Sequence, residues 1–217
     1  MALDLALLQR SIEGTHHDPV VRIYGWYPPT LSVGAKVALS AGVVDRCREA
    51  GVAVVRRATG GGCVLHDGDV TYSVVAPEAG RGVLDAYRWV ADCLIAGLGH
   101  LGLEAAVAEH PAGGSRRPLD CFAEPTGADL SVGGLKVCGS AQVRRRGWFL
   151  QHGSLPISDK RGDTARLLGG SVDLTSTCLE RLRPGTMWGA VAEALITGFT
   201  EVWGGKPCVL HDSLGMV

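Results

Sequence analysis

Apolar residues recur at two spacings along the chain, and the alternation between those spacings outlines the fold. Leu3, Ala6 and Leu7, with Arg10, lie three or four positions apart and predict a helix over residues 2–12. The most regular stretch is residues 82–101, where Leu84, Tyr87, Ala91, Leu94 and Leu98 form one apolar face. A second amphipathic helix is expected over residues 187–202, with Trp188, Val191, Leu195 and Phe199 inward. A short helix over residues 45–50 is closed by Gly51. Between these stretches the pattern changes to β-branched and alternating runs. Residues 20–26 read as a strand ended by Pro28-Pro29, and residues 52–57, 70–75 and 148–155 as further strands. Residues 129–143 read as a hairpin turning at Gly133-Gly134. Residues 111–118, rich in Gly, Pro and Arg, read as an exposed loop. Strands in the middle flanked by helices predict an α+β fold, a mixed or antiparallel β-sheet flanked by α-helices.

The bulk numbers narrow the class. The chain has 217 residues, with no internal repeat or low-complexity linker, and is expected to form a single domain over residues 1–217. Hydrophobic residues are 46% and charged residues 20%, which supports a substantial core and argues against disorder. The formal net charge of −1 gives no global field for nucleic acid. No apolar run reaches the ~18 residues of a membrane helix, and no basic cluster precedes an apolar run as in a signal peptide. Seven cysteines occur and none forms a Cys-x-x-Cys pair, so a zinc ribbon is not supported. An odd number of thiols points to a reducing cytoplasm.

The chemistry concentrates in Arg56-Arg57-Ala58-Thr59-Gly60-Gly61-Gly62-Cys63-Val64-Leu65-His66-Asp67. Three glycines in a row belong where the backbone bends sharply or touches a ligand. Their N–H groups suit a phosphate, a carbonyl oxygen or a thioester oxygen. Arg57 would add charge and Thr59 a hydroxyl, while His66 and Asp67 would orient the loop or line a pocket. A glycine-rich β-turn with no ligand explains the glycines alone. The flanking Arg-Arg and His-Asp favour a ligand site. His66, Asp67 and Asp69 together raise the possibility of a metal cluster, but turn chemistry explains them better, and no metal site is assigned.

This segment, followed by Thr71-Tyr72-Ser73, resembles the signature of the biotin/lipoate protein ligase catalytic domain. Two further stretches resemble the same family in the expected order. One runs from Tyr24 through Trp26 and Pro28-Pro29 to Gly34. The other is Lys136-Val137-Cys138-Gly139-Ser140-Ala141-Gln142 with Leu150-Gln151-His152-Gly153-Ser154. The resemblance implies that family's fold. It also implies an acyl- or adenylate-binding site formed by Arg57, Thr59, Gly60, Gly61, Gly62, His66, Asp129, Gly139, Ser140, Ala141, His152 and Gly153.

Two residues are implied as catalytic. On its own Lys136 is as readily a surface lysine guarding an edge strand. The resemblance makes it the lysine that contacts the acyl group. Cys121, with Phe122, Pro125 and Asp129-Leu130 after it, resembles the nucleophile segment of ligase-like octanoyltransferases. ATP-using lipoate ligases usually show Arg-Asn-Asp there, whereas this chain has Gly127-Ala128-Asp129. Those ligases often carry a C-terminal accessory domain, for which the residues after 202 are too few. The first expectation is therefore transfer of an octanoyl or lipoyl group from acyl carrier protein to a lysine of a lipoyl-carrier domain, without a cofactor. That carrier would be of the glycine-cleavage H protein or 2-oxoacid dehydrogenase E2 type. The alternatives are a lipoate–protein ligase using ATP and magnesium, and a non-catalytic lipoate- or carrier-binding module. Arg116-Arg117 and Arg144-Arg145-Arg146 would guide docking of an acidic carrier or simply lie in solvated loops.

Overall fold

The computed structural model describes residues 1–108, 119–120 and 129–205. Helix α1 (Ala2–Ile12) is followed by β1 (Val20–Tyr24), β2 (Thr30–Val33), α2 (Ala41–Glu49), β3 (Ala53–Arg56), β4 (Cys63–His66) and β5 (Asp69–Pro77). Then come α3 (Val83–His100), β6 (Ala105–Val107), β7 (Leu130–Val132), β8 (Leu135–Arg145), β9 (Trp148–Pro156), α4 (Arg161–Leu168), α5 (Leu179–Leu182) and α6 (Trp188–Trp203). The strands form two sheets. An antiparallel sheet runs β1-β5-β9-β8-β7-β6, and a smaller mixed sheet runs β3-β2-β4.

One face of the large sheet is apolar. Val70, Tyr72, Val74, Phe149 and Leu155 pack under α3 and α6, against Val90, Leu94, Leu98, Val191, Leu195 and Phe199. A side chain at Gly198 would collide with the Cys93 carbonyl and the Gly97 backbone, so small residues let these two helices meet backbone to backbone. The opposite face is covered at one end by α1, through Leu7 and Leu8 on Val75 and Leu150. The small sheet has its own core, with Leu31, Val33 and Cys63 against Val43, Cys47 and Leu167.

Most expected elements are present, with informative departures. Between the strands expected at 52–57 and 70–75 lies a further one, β4: the glycine bend returns the chain to the small sheet, and the turn at residues 67–68 passes it to the large one. Helix α2 starts four residues before the expected 45, with Ser40 at its N-cap. On α3 the buried face is Ala86, Val90, Ala91, Cys93, Leu94, Gly97 and Leu98. Leu84, expected inward, is 62% exposed in the first turn, before the helix reaches the sheet. Helices α4 and α5 were not anticipated: they have eight and four residues, too few for an apolar stripe to repeat. Arg144, one of the expected docking residues, is tied to Gln142, Glu78 and the carbonyls of Arg81 and Gly82. The loop at 111–118, with Arg116-Arg117, lies outside the described residues.

Candidate active site

The large sheet turns a polar face toward the small sheet, and a cavity opens between them. Strand alternation explains the face: Asp69, Thr71 and Ser73 of β5 share a side, and pairing sets Thr71 opposite Ser154 and Ser73 opposite His152 of β9. The next strand sets Gly139 opposite Ser154 and Ala141 opposite His152. From the small sheet come Ser32, Arg57, Gly61, Val64 and His66, and Trp26 closes one side. The cavity measures about 100 Å³. A water needs roughly 10–15 Å³ on the same measure, so the space holds several waters or the short chain that displaces them.

Lys136 and Asp129 enter this cavity as a pair. Lys136 Nζ lies 2.8 Å from Asp129 Oδ2, and each side chain is 2% exposed. A lone buried ammonium would be costly, and its carboxylate partner is what makes the position tenable. Asp129 Oδ1 also accepts the Ser140 N–H at 3.2 Å. An irregularity in the β7–β8 ladder at Leu130/Ser131 resets the alternation, so Val137 and Cys138 both enter the apolar core while Lys136 turns to the cavity. Lys136 is therefore not an edge guard: it is buried, and its strand is bridged to Ser176 on the far side.

Arg57 lines the cavity and also has a structural task. Its guanidinium donates to the Ser32 carbonyl and hydroxyl at 2.8 and 2.7 Å, and to the carbonyls of Gly60 and Gly62 at 3.2 and 2.9 Å. It clamps the glycine bend from within. Gly62 also accepts the Gly34 N–H at 2.9 Å, and a side chain at Gly34 would collide with the Gly61 carbonyl. Gly61, at φ +91°, takes a conformation that disfavours any other residue, and it lines the cavity. Gly60, Gly62 and Thr59 stand behind it and do not line the space.

Two histidines are fixed by neighbours. His66 is stacked on Trp26 and bonded through Nδ1 to Asp69 Oδ2 and through Nε2 to Ser32 Oγ, both at 2.7 Å. Burial alone would raise the Asp69 carboxyl, but hydrogen bonds from His66, Ser154 and Thr71 hold it below the usual range. His152 Nε2 lies 2.7 Å from Thr59 Oγ1. Burial, helped by the Arg57 charge, lowers His152 to about 3, so it is neutral at ordinary pH. Cys138, on the same strand as Lys136 but turned into the apolar core, is pushed up to about 12 by burial and by Asp129, so it is no thiolate.

Of the expected site residues, Arg57, Gly61, His66, Asp129, Lys136, Gly139, Ser140, Ala141, His152 and Gly153 line one cavity. Asp67 does not; it pairs with Lys160 at 2.7 Å. Among the described residues no three His, Cys, Asp or Glu side chains are grouped to hold a metal. Cys121 lies outside the described residues, but the residues bounding its segment are placed. Asp120 bridges to Cys63 beside the glycine bend, and Asp129 holds Lys136. Sequence reasoning gave no site role to Ser32, Thr71 or Ser154 and read Asp69 as turn chemistry. For Asp69 and Thr71 the signal was the period-two run of polar residues at 69, 71 and 73.

The two-sheet frame is the fold of solved lipoate–protein ligases. Lipoate-protein ligase A bound with ATP superposes with a TM-score of 0.71 at 22% identity, covering 90% of this chain and 78% of that one. A bi-partite lipoate protein ligase from Thermoplasma acidophilum, described with its E2 lipoyl domain, gives 0.66 at 20% identity, covering 93% and 79%. The chain belongs to the lipoyl protein ligase A/B catalytic domain family, whose model matches residues 1–199. Its relatives include octanoyltransferase LipM of Carboxydothermus hydrogenoformans, 43% identical over 162 residues, 72% of this chain and 60% of that protein. The octanoyltransferase LipM of Symbiobacterium thermophilum is 33% identical over 228 residues, 94% of this chain and 81% of that protein. The chain thus spans 60% of the length of the first of these relatives.

Proposed function

We propose that this protein transfers an octanoyl or lipoyl group from a thioester on acyl carrier protein to a lysine of a lipoyl-carrier domain. The observation that carries the reading is the convergence of Lys136, Asp129 and Gly61 on one cavity, in a chain whose relatives are octanoyltransferases. The Cys121 thiolate attacks the thioester carbon, the carrier's C–S bond breaks, and an acyl-enzyme forms. The Lys136 ammonium, paired with Asp129, donates to the oxygen that gains negative charge in each transfer. The ε-amine of the carrier lysine then attacks the acyl carbon, the enzyme's C–S bond breaks, and the sulfur regains a proton as the amide forms. No nucleotide, metal or redox group takes part. Acceptors of the glycine-cleavage H protein or 2-oxoacid dehydrogenase E2 type fit this reaction, which belongs in the cytoplasm. No described helix is long and apolar enough to cross a membrane.

The test is nucleotide dependence. Octanoyl carrier protein, lipoyl-carrier domain and enzyme without ATP are expected to yield the acylated carrier lysine, and Cys121→Ser to abolish it. Product formed only from free lipoate with ATP and magnesium would transfer the assignment to the ligase reaction. Tight lipoate binding with no product in either assay would make the protein a binding module.

A further inference from the structure

A glycine in the interior of a strand weakens it and marks a place where something must approach closely. Gly139 lies inside β8, paired with Ser154 of β9, and it lines the acyl cavity. Its φ is not in the left-handed region, unlike that of Gly61, so its backbone would accept an alanine. The constraint is one of space. A Cβ built on Gly139 would lie 3.3 Å from Lys136 Cε, 3.6 Å from Lys136 Nζ and 3.8 Å from Asp129 Oδ1. Ala141, on the same side of the strand and lining the same cavity, keeps its methyl group.

Residues three apart on a regular strand point to opposite faces. Here the ladder sets Leu130 opposite Cys138 but Ser131 opposite Lys136, so β8 carries one extra residue between Lys136 and Cys138. That bulge brings Lys136 to the face of Gly139. The lysine runs along its own strand, and its ammonium meets Asp129 Oδ2 at 2.8 Å. The other carboxylate oxygen accepts the Ser140 N–H at 3.2 Å, so the pair closes a ring across Gly139. The two partners are not equally free of a methyl group placed there. At 3.8 Å the carboxylate would be in ordinary contact, whereas 3.3 Å from Cε is closer than carbon atoms pack. The Lys136 backbone is held on both sides, by Ser131 and by Thr175 and Thr177, and its side chain is 2% exposed. The displacement therefore falls on the ammonium end of the lysine.

We infer that Gly139 is a positioning residue for acyl transfer: the bare strand face it leaves seats the Lys136 ammonium at the acyl oxygen. This rests on the acyl-transfer reading above. The bulge supplies the direction of the lysine and the glycine supplies the room, so the spacing from Lys136 to Gly139 acts as one device. Gly139 has no side chain to offer the acyl group. Its effect on rate passes through Lys136 and not through the binding of either carrier.

A double-mutant cycle on transfer from octanoyl carrier protein, without nucleotide, tests this. The three atoms nearest the added Cβ belong to side chains, so Gly139→Ala is expected to fold with a Tm close to that of the wild type. A misplacement near 1 Å costs about a hundredfold, so a shift of a few tenths is expected to lower kcat about tenfold. Lys136 serves both half-reactions, so the KM for each carrier is expected to stay unchanged. In a Lys136→Met background the same change is expected to have no further effect, because no ammonium remains to be displaced. An undiminished loss in that background would overturn the proposal, as would wild-type turnover in Gly139→Ala itself. Recovery of the rate with a hexanoyl donor would make Gly139 a wall of the acyl cavity, and a variant that fails to fold would assign it to the sheet; either result also overturns the seat. A wild-type protein that forms no acyl-enzyme refutes the acyl-transfer reading instead. If that protein joins free lipoate to the carrier with ATP, the same cycle in that reaction decides the seat by the same criterion.

Discussion

Strand β5 is buried on both sides, and its two sides have opposite chemistry. Val70, Tyr72, Val74 and Ala76 face α3 and α6 in the largest apolar core. Asp69, Thr71 and Ser73 are as deeply buried, yet each is engaged in a hydrogen-bond network. Ser73 donates to Asp4 at 2.7 Å, and Asp4 also pairs with Arg22 and accepts from Tyr24. Burial therefore does not separate core from site in this molecule; the partners do. The apolar side holds the sheet and helices together, and the polar side is the wall on which the cavity is built.

The comparison makes ordered predictions. The largest effect belongs to the polar side. Lys136→Met is expected to lower transfer at least ~100-fold, as loss of a donor to a developing oxyanion does. It also leaves Asp129 buried without its cation, a loss of about 3–5 kcal/mol in denaturant unfolding. Lys136→Met/Asp129→Asn together are expected to regain much of the stability and none of the activity. A double variant with wild-type turnover would make the pair structural.

On the apolar side, Phe199→Ala is expected to cost about 3–5 kcal/mol in the same unfolding measurement, because it empties space beneath Tyr72 and Trp203. Acyl loading at a temperature where the variant is folded should stay close to that of the wild type. Thr59→Val comes next, at about 1–3 kcal/mol, since it leaves His152 Nε2 without its partner. Of similar size over two pH units is a pH slope. His152 is held neutral down to about 3, while an unfolded histidine titrates near ~6.5. Its contribution is complete above the unfolded value and is lost as pH falls from there towards 3, because only the unfolded chain takes up the proton. Unfolding free energy measured between pH 6 and 4 should fall with a slope near one proton, and His152→Gln should flatten it.

These two sides were not equally legible in the sequence. Helical periodicity marked α3 and α6 because a wide apolar stripe repeats over many residues. It misassigned Leu84, since periodicity gives a helix face but not where that face meets its neighbour. The glycine bend, Lys136 and His152 were legible through their likeness to a family. Their convergence depends on two sheets facing each other, which no local pattern encodes. Arg57 lines the cavity as expected, and its bonds to Ser32 and the glycine carbonyls also hold the loop, which the sequence did not announce. A guanidinium's partners follow from tertiary placement alone. Asp69, read as turn chemistry, belongs to the cavity wall, and its alternation with Thr71 and Ser73 was the available clue.

The central claim is that one acyl carbonyl sits between Gly61, Lys136 and the sulfur of Cys121. Intact-mass and peptide mapping after incubation with octanoyl carrier protein, in the absence of nucleotide, tests it most directly. The account predicts a single octanoyl adduct on the peptide carrying Cys121, strongly reduced in Lys136→Met. An unmodified protein, or an adduct confined to another residue, would contradict it.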